Sequence, residues 1–127
     1  MATRVLLIGI HPDAVDITDP SLPKGITHEK IADGIEKALA DMRDRGWDPA
    51  FCDLRPETAV ADIEASLAET WDCIVVGGGI RIPPDNLMLF EAVINTVIRL
   101  APGTPISFNT APENSADAAA RWIGSEA

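Results

Sequence analysis

The chain has 127 residues, 46% apolar and 24% charged, with 10 Lys and Arg against 20 Asp and Glu for a net charge of −10. That composition excludes wholesale disorder, and the length suits one domain able to bury a core without metal or disulfide staples. So acidic a chain repels a phosphate backbone, which argues against a nucleic-acid partner.

The first apolar run covers residues 4–10 and is near-continuous, the pattern of a strand covered on both faces. It runs straight into His11-Pro12-Asp13, too early for a secretory leader. No apolar run reaches the ~20 residues that span a bilayer. With only Cys52 and Cys73 as cysteines, the expectation is a cytoplasmic chain with reduced thiols and no membrane contact.

A long Asp- and Pro-rich connection follows, residues 11–26; loops of this length are either functional or a structural cover. His11, Asp13, Asp16, Thr18 and Asp19 have the spacing of a weak Mg²⁺ or Ca²⁺ set. Asp beside Pro builds turns without a metal, so no metal is assigned. His11, at the end of the first strand, is the catalytic candidate by position, since imidazole titrates near neutrality; a lone histidine there also reads as structural.

Thr27 is the expected N-cap of the first helix, with Glu29 at the positive end of its dipole. Ile31, Ile35, Ala38, Leu39 and Met42 recur near a period of 3.6, and Gly46 stands at C′. His28 is expected at the surface. Residues 50–54 form a weaker second strand. A second helix follows Thr58 with Val60, Ile63 and Leu67 inward, and residues 72–77 form a strong third strand.

The third strand runs into Gly77-Gly78-Gly79-Ile80-Arg81. Consecutive glycine N–H groups build an anion nest, and Arg81 suits a carboxylate or phosphate. The alternative is a turn needed for packing, with Arg81 paired to a surface acid. Neither a P-loop nor a dinucleotide fingerprint is present. A third helix is expected from Pro83-Pro84-Asp85-Asn86 to Leu100, a short strand over 105–108, and a fourth helix from about Asn114 carrying Trp122 and Ile123. Asn109 and Thr110 end the last strand, where an amide and a hydroxyl orient ligands or satisfy loop backbone.

Strands alternating with helices imply a parallel sheet covered on both faces, with right-handed crossovers. The order resembles the flavodoxin-like fold: residues 1–127 as a single domain, a three-layer αβα sandwich whose four-stranded sheet has order 2-1-3-4, without the usual fifth strand. First and last helices share one face, the second and third the other, and the fourth strand is an edge. Ligands of such sheets bind outside the C-terminal strand ends, here between the first and third strands. The expected ligand residues are Gly77, Gly78, Gly79, Arg81, Asn109 and Thr110.

Two families of this architecture are comparable residue by residue. Receiver domains place an Asp after the third strand and a Lys after the fifth. Here a glycine run replaces the Asp, no lysine follows Lys37, and only Thr110 matches, at the hydroxyl position. Flavodoxins bring a Ser/Thr/Gly-rich phosphate loop and aromatic rings. Here the loop is Asp/Pro-rich, Tyr is absent, and Trp47 and Trp71 precede their strands, opposite the ligand side. The Val75-Val76-Gly77-Gly78-Gly79-Ile80-Arg81 and Phe108-Asn109-Thr110 segments resemble those of uncharacterised bacterial proteins of flavodoxin-like architecture. That resemblance implies a fold and no activity, and no cofactor is named.

Two functions fit: a domain binding an anionic small molecule at the strand ends, with no reaction assigned, or a non-catalytic interaction or regulatory module on a degenerate receiver-like scaffold. In the third helix, residues 87–100, Glu91, Asn95, Thr96 and Arg99 make a narrow polar stripe on an apolar cylinder. Leu87, Phe90, Ile94 and Val97 are assigned to the sheet. Met88, Leu89, Val93, Ile98 and Leu100 are left for a homodimer interface.

Overall fold

The computed structural model describes residues 2–123. β1 (Arg4–Ile10), β2 (Asp48–Leu54), β3 (Cys73–Val76) and β4 (Ile106–Phe108) form an all-parallel sheet of order β2-β1-β3-β4. This is the three-layer, flavodoxin-like α/β fold. β2 starts two residues before its apolar run, at Asp48-Pro49. As an outer strand it tolerates a proline that pairs with Val5.

α1 (His28–Asp44) begins as its sequence dictates. Thr27 Oγ1 accepts the Lys30 N–H at 3.1 Å, and Gly46 sits at φ 85° beyond the last turn. Ile35, Ala38, Leu39 and Met42 pack with Val5, Leu7, Cys73 and Val75, and with the alanines of α5 (Ser115–Ile123). On the opposite face Leu6, Ile8, Cys52 and Ile74 meet α2 (Ala59–Ser66) and α4 (Leu87–Leu100) through Ile63, Val93 and Val97.

Several expectations change. A short helical turn, α3 (Gly78–Arg81), replaces the loop after β3, and α4 begins only at Leu87, after a tight turn over Pro84–Asn86. In α2, Ala59 and Ile63 are buried while Val60 is exposed and Leu67 half-buried. α4 is rotated from the expected setting. Val93 is fully buried, Phe90 and Ile94 are half-buried, and Leu87 is 61% exposed. The Glu91, Asn95 and Arg99 stripe sets this phase: all three are exposed, Val93 and Val97 fall opposite them on a 3.6-residue turn, and Leu87 falls beside them. No helix among the described residues is long and apolar enough to cross a membrane.

Candidate functional site

β1 and β3 end side by side, and the chain leaves them in different directions. After Val76 the Gly77 N–H donates to the Ile8 carbonyl at 2.8 Å, adding one rung to the parallel ladder before the backbone turns into α3. A Cβ at Gly77 would stand 3.1 Å from that carbonyl oxygen. A Cβ at Gly78 would stand 3.1 Å from Ile82 Cδ1 and 3.3 Å from the Thr110 oxygen, whereas Gly79 faces open space. Close packing therefore demands glycine at the first two positions only.

Asn109 is the brace of this corner. Buried to 3% exposure, it accepts the Gly78 N–H on Oδ1 at 2.6 Å and donates from Nδ2 to Ser115 Oγ at 2.8 Å. Ser115 Oγ in turn donates to the Pro112 carbonyl at 2.6 Å. The Thr110 hydroxyl accepts from Asn114 Nδ2 at 2.7 Å. The Gly77 and Gly78 N–H groups are thus engaged within the protein rather than presented as an anion nest.

Arg81 departs from its expected role. Its Nη2 donates to the Asn109 carbonyl at 3.0 Å, and its guanidinium lies 5.8 Å from the Phe108 ring centroid. It pairs with no acid among the described residues, and it stands outside the cleft at the strand ends. Arg81 fastens α3 to the end of β4.

His11 also lies outside the cleft, on the β2 side. Its Nδ1 accepts the Asp13 N–H at 3.1 Å, and its Nε2 stands 3.6 Å from Asp53 Oδ2. Both ring nitrogens face protein groups, so the imidazole anchors the loop start. Asp16 accepts the Thr18 N–H and hydroxyl, and Asp19 does the same for Ser21. These are Asx turns, and the Thr18 hydroxyl bond, then its N–H, holds the Asp16 carboxyl below its ordinary 3.8. His28 is half-buried rather than a surface residue, with Nε2 3.1 Å from the Val15 carbonyl, pinning the loop to α1.

Between the loop, α1, α3 and the turn after β4 lies a cleft of about 710 Å³. Of the residues expected to meet a ligand, Gly77, Gly78, Gly79, Asn109 and Thr110 line it. So does a stripe of α1: Lys30, Asp33, Gly34 and Lys37, spaced three, four and seven apart on one helix face. A Cβ at Gly34 would stand 3.2 Å from Pro112 Cβ, so its absence draws α1 close to the far wall. Lys24, from the loop, completes the rim.

Lys24, Lys30 and Lys37 are the only lysines of the chain, and all three line this cleft; no arginine does. Against them stand two acids, Asp33 and Glu113, in a chain of net charge −10. Sequence inspection at the strand ends missed the lysines. Their signal was the seven-residue spacing of Lys30 and Lys37 at the start of α1, whose N-terminus necessarily lies at the C-terminal edge of a parallel sheet.

The fold and the cleft define an open parallel α/β domain with a basic-rimmed crevice at its topological switch point. Comparison with family models, curated proteins and solved structures finds no match for this chain.

Proposed function

We propose that this domain binds a small anionic molecule in the cleft between β1 and β3. The observation that carries the reading is the gathering of every lysine onto one rim of an otherwise strongly acidic chain. Lysine supplies three rotatable donors and a compact charge, which suits a carboxylate or phosphate group entering from solvent. The cleft volume lies in the ordinary range for small-ligand sites. The setting that fits is a cytoplasmic binding domain with reduced thiols.

Thermal denaturation at low ionic strength, against a panel of carboxylates and phosphate monoesters, tests this. At least one compound raises the midpoint through mass action, and added salt weakens the effect. Loss of the shift in Lys30→Gln with Lys37→Gln supports the cleft. A panel with no stabilising anion removes the reading.

A second reading, assembly as an interaction module, draws on a separate surface. Leu87, Met88 and Ile98 of α4 are 61%, 80% and 55% exposed, and Met88 borders a groove shared with residues 56–60 at the start of α2. We propose that a second copy of the chain covers residues 87–100 as a two-fold homodimer. Sedimentation equilibrium decides it: a mass fixed at 13.5 kDa across concentration retires the dimer.

A further inference from the structure

Resting on the anion-binding reading, we infer that the ligand of the cleft is an amphipathic anion: one charged head and an apolar body without hydroxyl groups. The lining of the cleft divides in chemistry. Lys24, Lys30 and Lys37 border it and are exposed. Lys30 Nζ gives one hydrogen bond to the Gly25 carbonyl at 3.0 Å, leaving two of an ammonium's three donors.

Another part of the lining is hydrocarbon. Val15, Ile26, Ile31 and Phe51 are half-buried, Ile80 is fully buried and Ile82 is 38% exposed, and all six line the cleft. Phe51 lies under Gly9, where a Cβ would come within 3.0 Å of its ring, so the missing side chain leaves the aromatic edge against bare backbone.

The amide and hydroxyl groups within the cleft are largely engaged by the protein. Both ends of the Asn109 amide are bonded, to Gly78 and Ser115, and the Thr110 hydroxyl receives the Asn114 amide. Asp33 and Glu113 are acceptors that repel an anion. A sugar phosphate or nucleotide would bring its hydroxyls to Asp33 and Glu113, whose charge opposes its phosphate, and each hydroxyl or ring nitrogen set against the hydrocarbon lining carries a desolvation cost. An alkyl or aryl body meets matching surface instead.

The test compares four probes on the full chain by calorimetry and amide chemical-shift mapping: octanoate, octan-1-ol, glucose 6-phosphate and inorganic phosphate. Octanoate is expected to bind best and to shift the amides of Ile31, Phe51 and Ile80. Octan-1-ol is expected to bind about tenfold more weakly, the scale of a lost charge-assisted hydrogen bond. Lys30→Gln with Lys37→Gln should bring octanoate down to octan-1-ol and leave octan-1-ol unchanged. These exposed substitutions are checked for folding by the thermal midpoint, with Lys24→Gln as the independent second variant.

If glucose 6-phosphate or phosphate binds in the cleft and octanoate does not, the amphipathic inference is wrong while anion binding stands. If octan-1-ol equals octanoate, or no anion binds, both fail. Shifts confined to Leu87 and Met88 place the alkyl chain on α4 and overturn the inference.

Discussion

The Oδ1 of Asn109 receives the Gly78 N–H at 2.6 Å, across 31 positions of sequence, and this bond joins the end of β4 to the turn that follows β3. Both residues are buried, so the bond has no water to replace it. It converts a glycine run that reads as loop into a fixed corner of the cleft.

Asn109→Ala should therefore cost about 2–4 kcal/mol, because two buried partners, the Gly78 N–H and Ser115 Oγ, lose their bonds together. Urea denaturation measures it. A loss under about 0.5 kcal/mol, the range of an ordinary surface change, contradicts the brace.

The glycines should separate on substitution. Gly77→Ala is expected to destabilise by roughly 1–2 kcal/mol, since its Cβ meets the Ile8 carbonyl oxygen at 3.1 Å and a backbone atom yields little. Gly79→Ala meets open space within a helical turn and should be neutral or stabilising by up to about 1 kcal/mol. Equal losses at both sites would mean that the run acts through backbone freedom rather than packing.

Cys52 and Cys73 should titrate as two free thiols on unfolding and react slowly in the native state. They are buried in the cores on opposite faces of the sheet, so no disulfide geometry joins them. Burial raises the Cys73 thiol from 9.0 to about 11. The folded state then holds a proton that the unfolded chain releases, so this contribution is intact below pH 9.0 and is lost as pH rises toward 11. The loss amounts to roughly 2 kcal/mol. Urea midpoints at pH 8 and pH 11 read it, and Cys73→Ala should reduce the difference, the buried Cys52 thiol, also raised, keeping a share of it. The chain has no tyrosine to add its own alkaline titration.

Asp16 should ionise below the ordinary aspartate value of 3.8. The lowered carboxyl contributes to loop order above the unfolded value and loses that contribution as pH falls through its folded value. Carboxyl-carbon NMR titration follows it directly. Thr18→Val removes the bond that lowers it most but keeps the Thr18 N–H bond, and should move Asp16 part of the way back toward 3.8; an unchanged titration would show that the hydroxyl does not set it.

Met88→Glu should alter the stability of the isolated fold by less than about 0.5 kcal/mol, since Met88 is 80% exposed. The same change should abolish concentration-dependent mass in the sedimentation experiment if α4 is the dimer face. A dimer surviving it lies elsewhere.

What the sequence made legible follows from where local pattern and tertiary contact agree. β1 and β3 are apolar runs because both faces are covered, and Thr27 and Gly46 bracket α1 by backbone chemistry that needs no partner. Their order then placed the cleft between β1 and β3, with Asn109 and Thr110 at its edge. The α3 turn was hidden because glycine disfavours helix, and long-range bonds hold it: Asn109 Oδ1 to Gly78, the Ile8 carbonyl to Gly77 and the Arg81 guanidinium to the Asn109 carbonyl. Arg81 looked like a ligand clamp because its nearest acceptor, the Asn109 carbonyl, lies 28 positions away. The setting of α4 is legible in its Glu91, Asn95 and Arg99 stripe, which lies opposite Val93 and Val97; counting apolar residues without that stripe places Leu87 inward instead.

The placement of the lysines has a chemical corollary. Apart from the chain's own α-amine, every primary amine of this protein borders one crevice. An acylating reagent aimed at amines is thereby a site-directed reagent here without any targeting group. Peptide mass mapping of three positions, with and without a guest, would read occupancy of the crevice as protection from acylation.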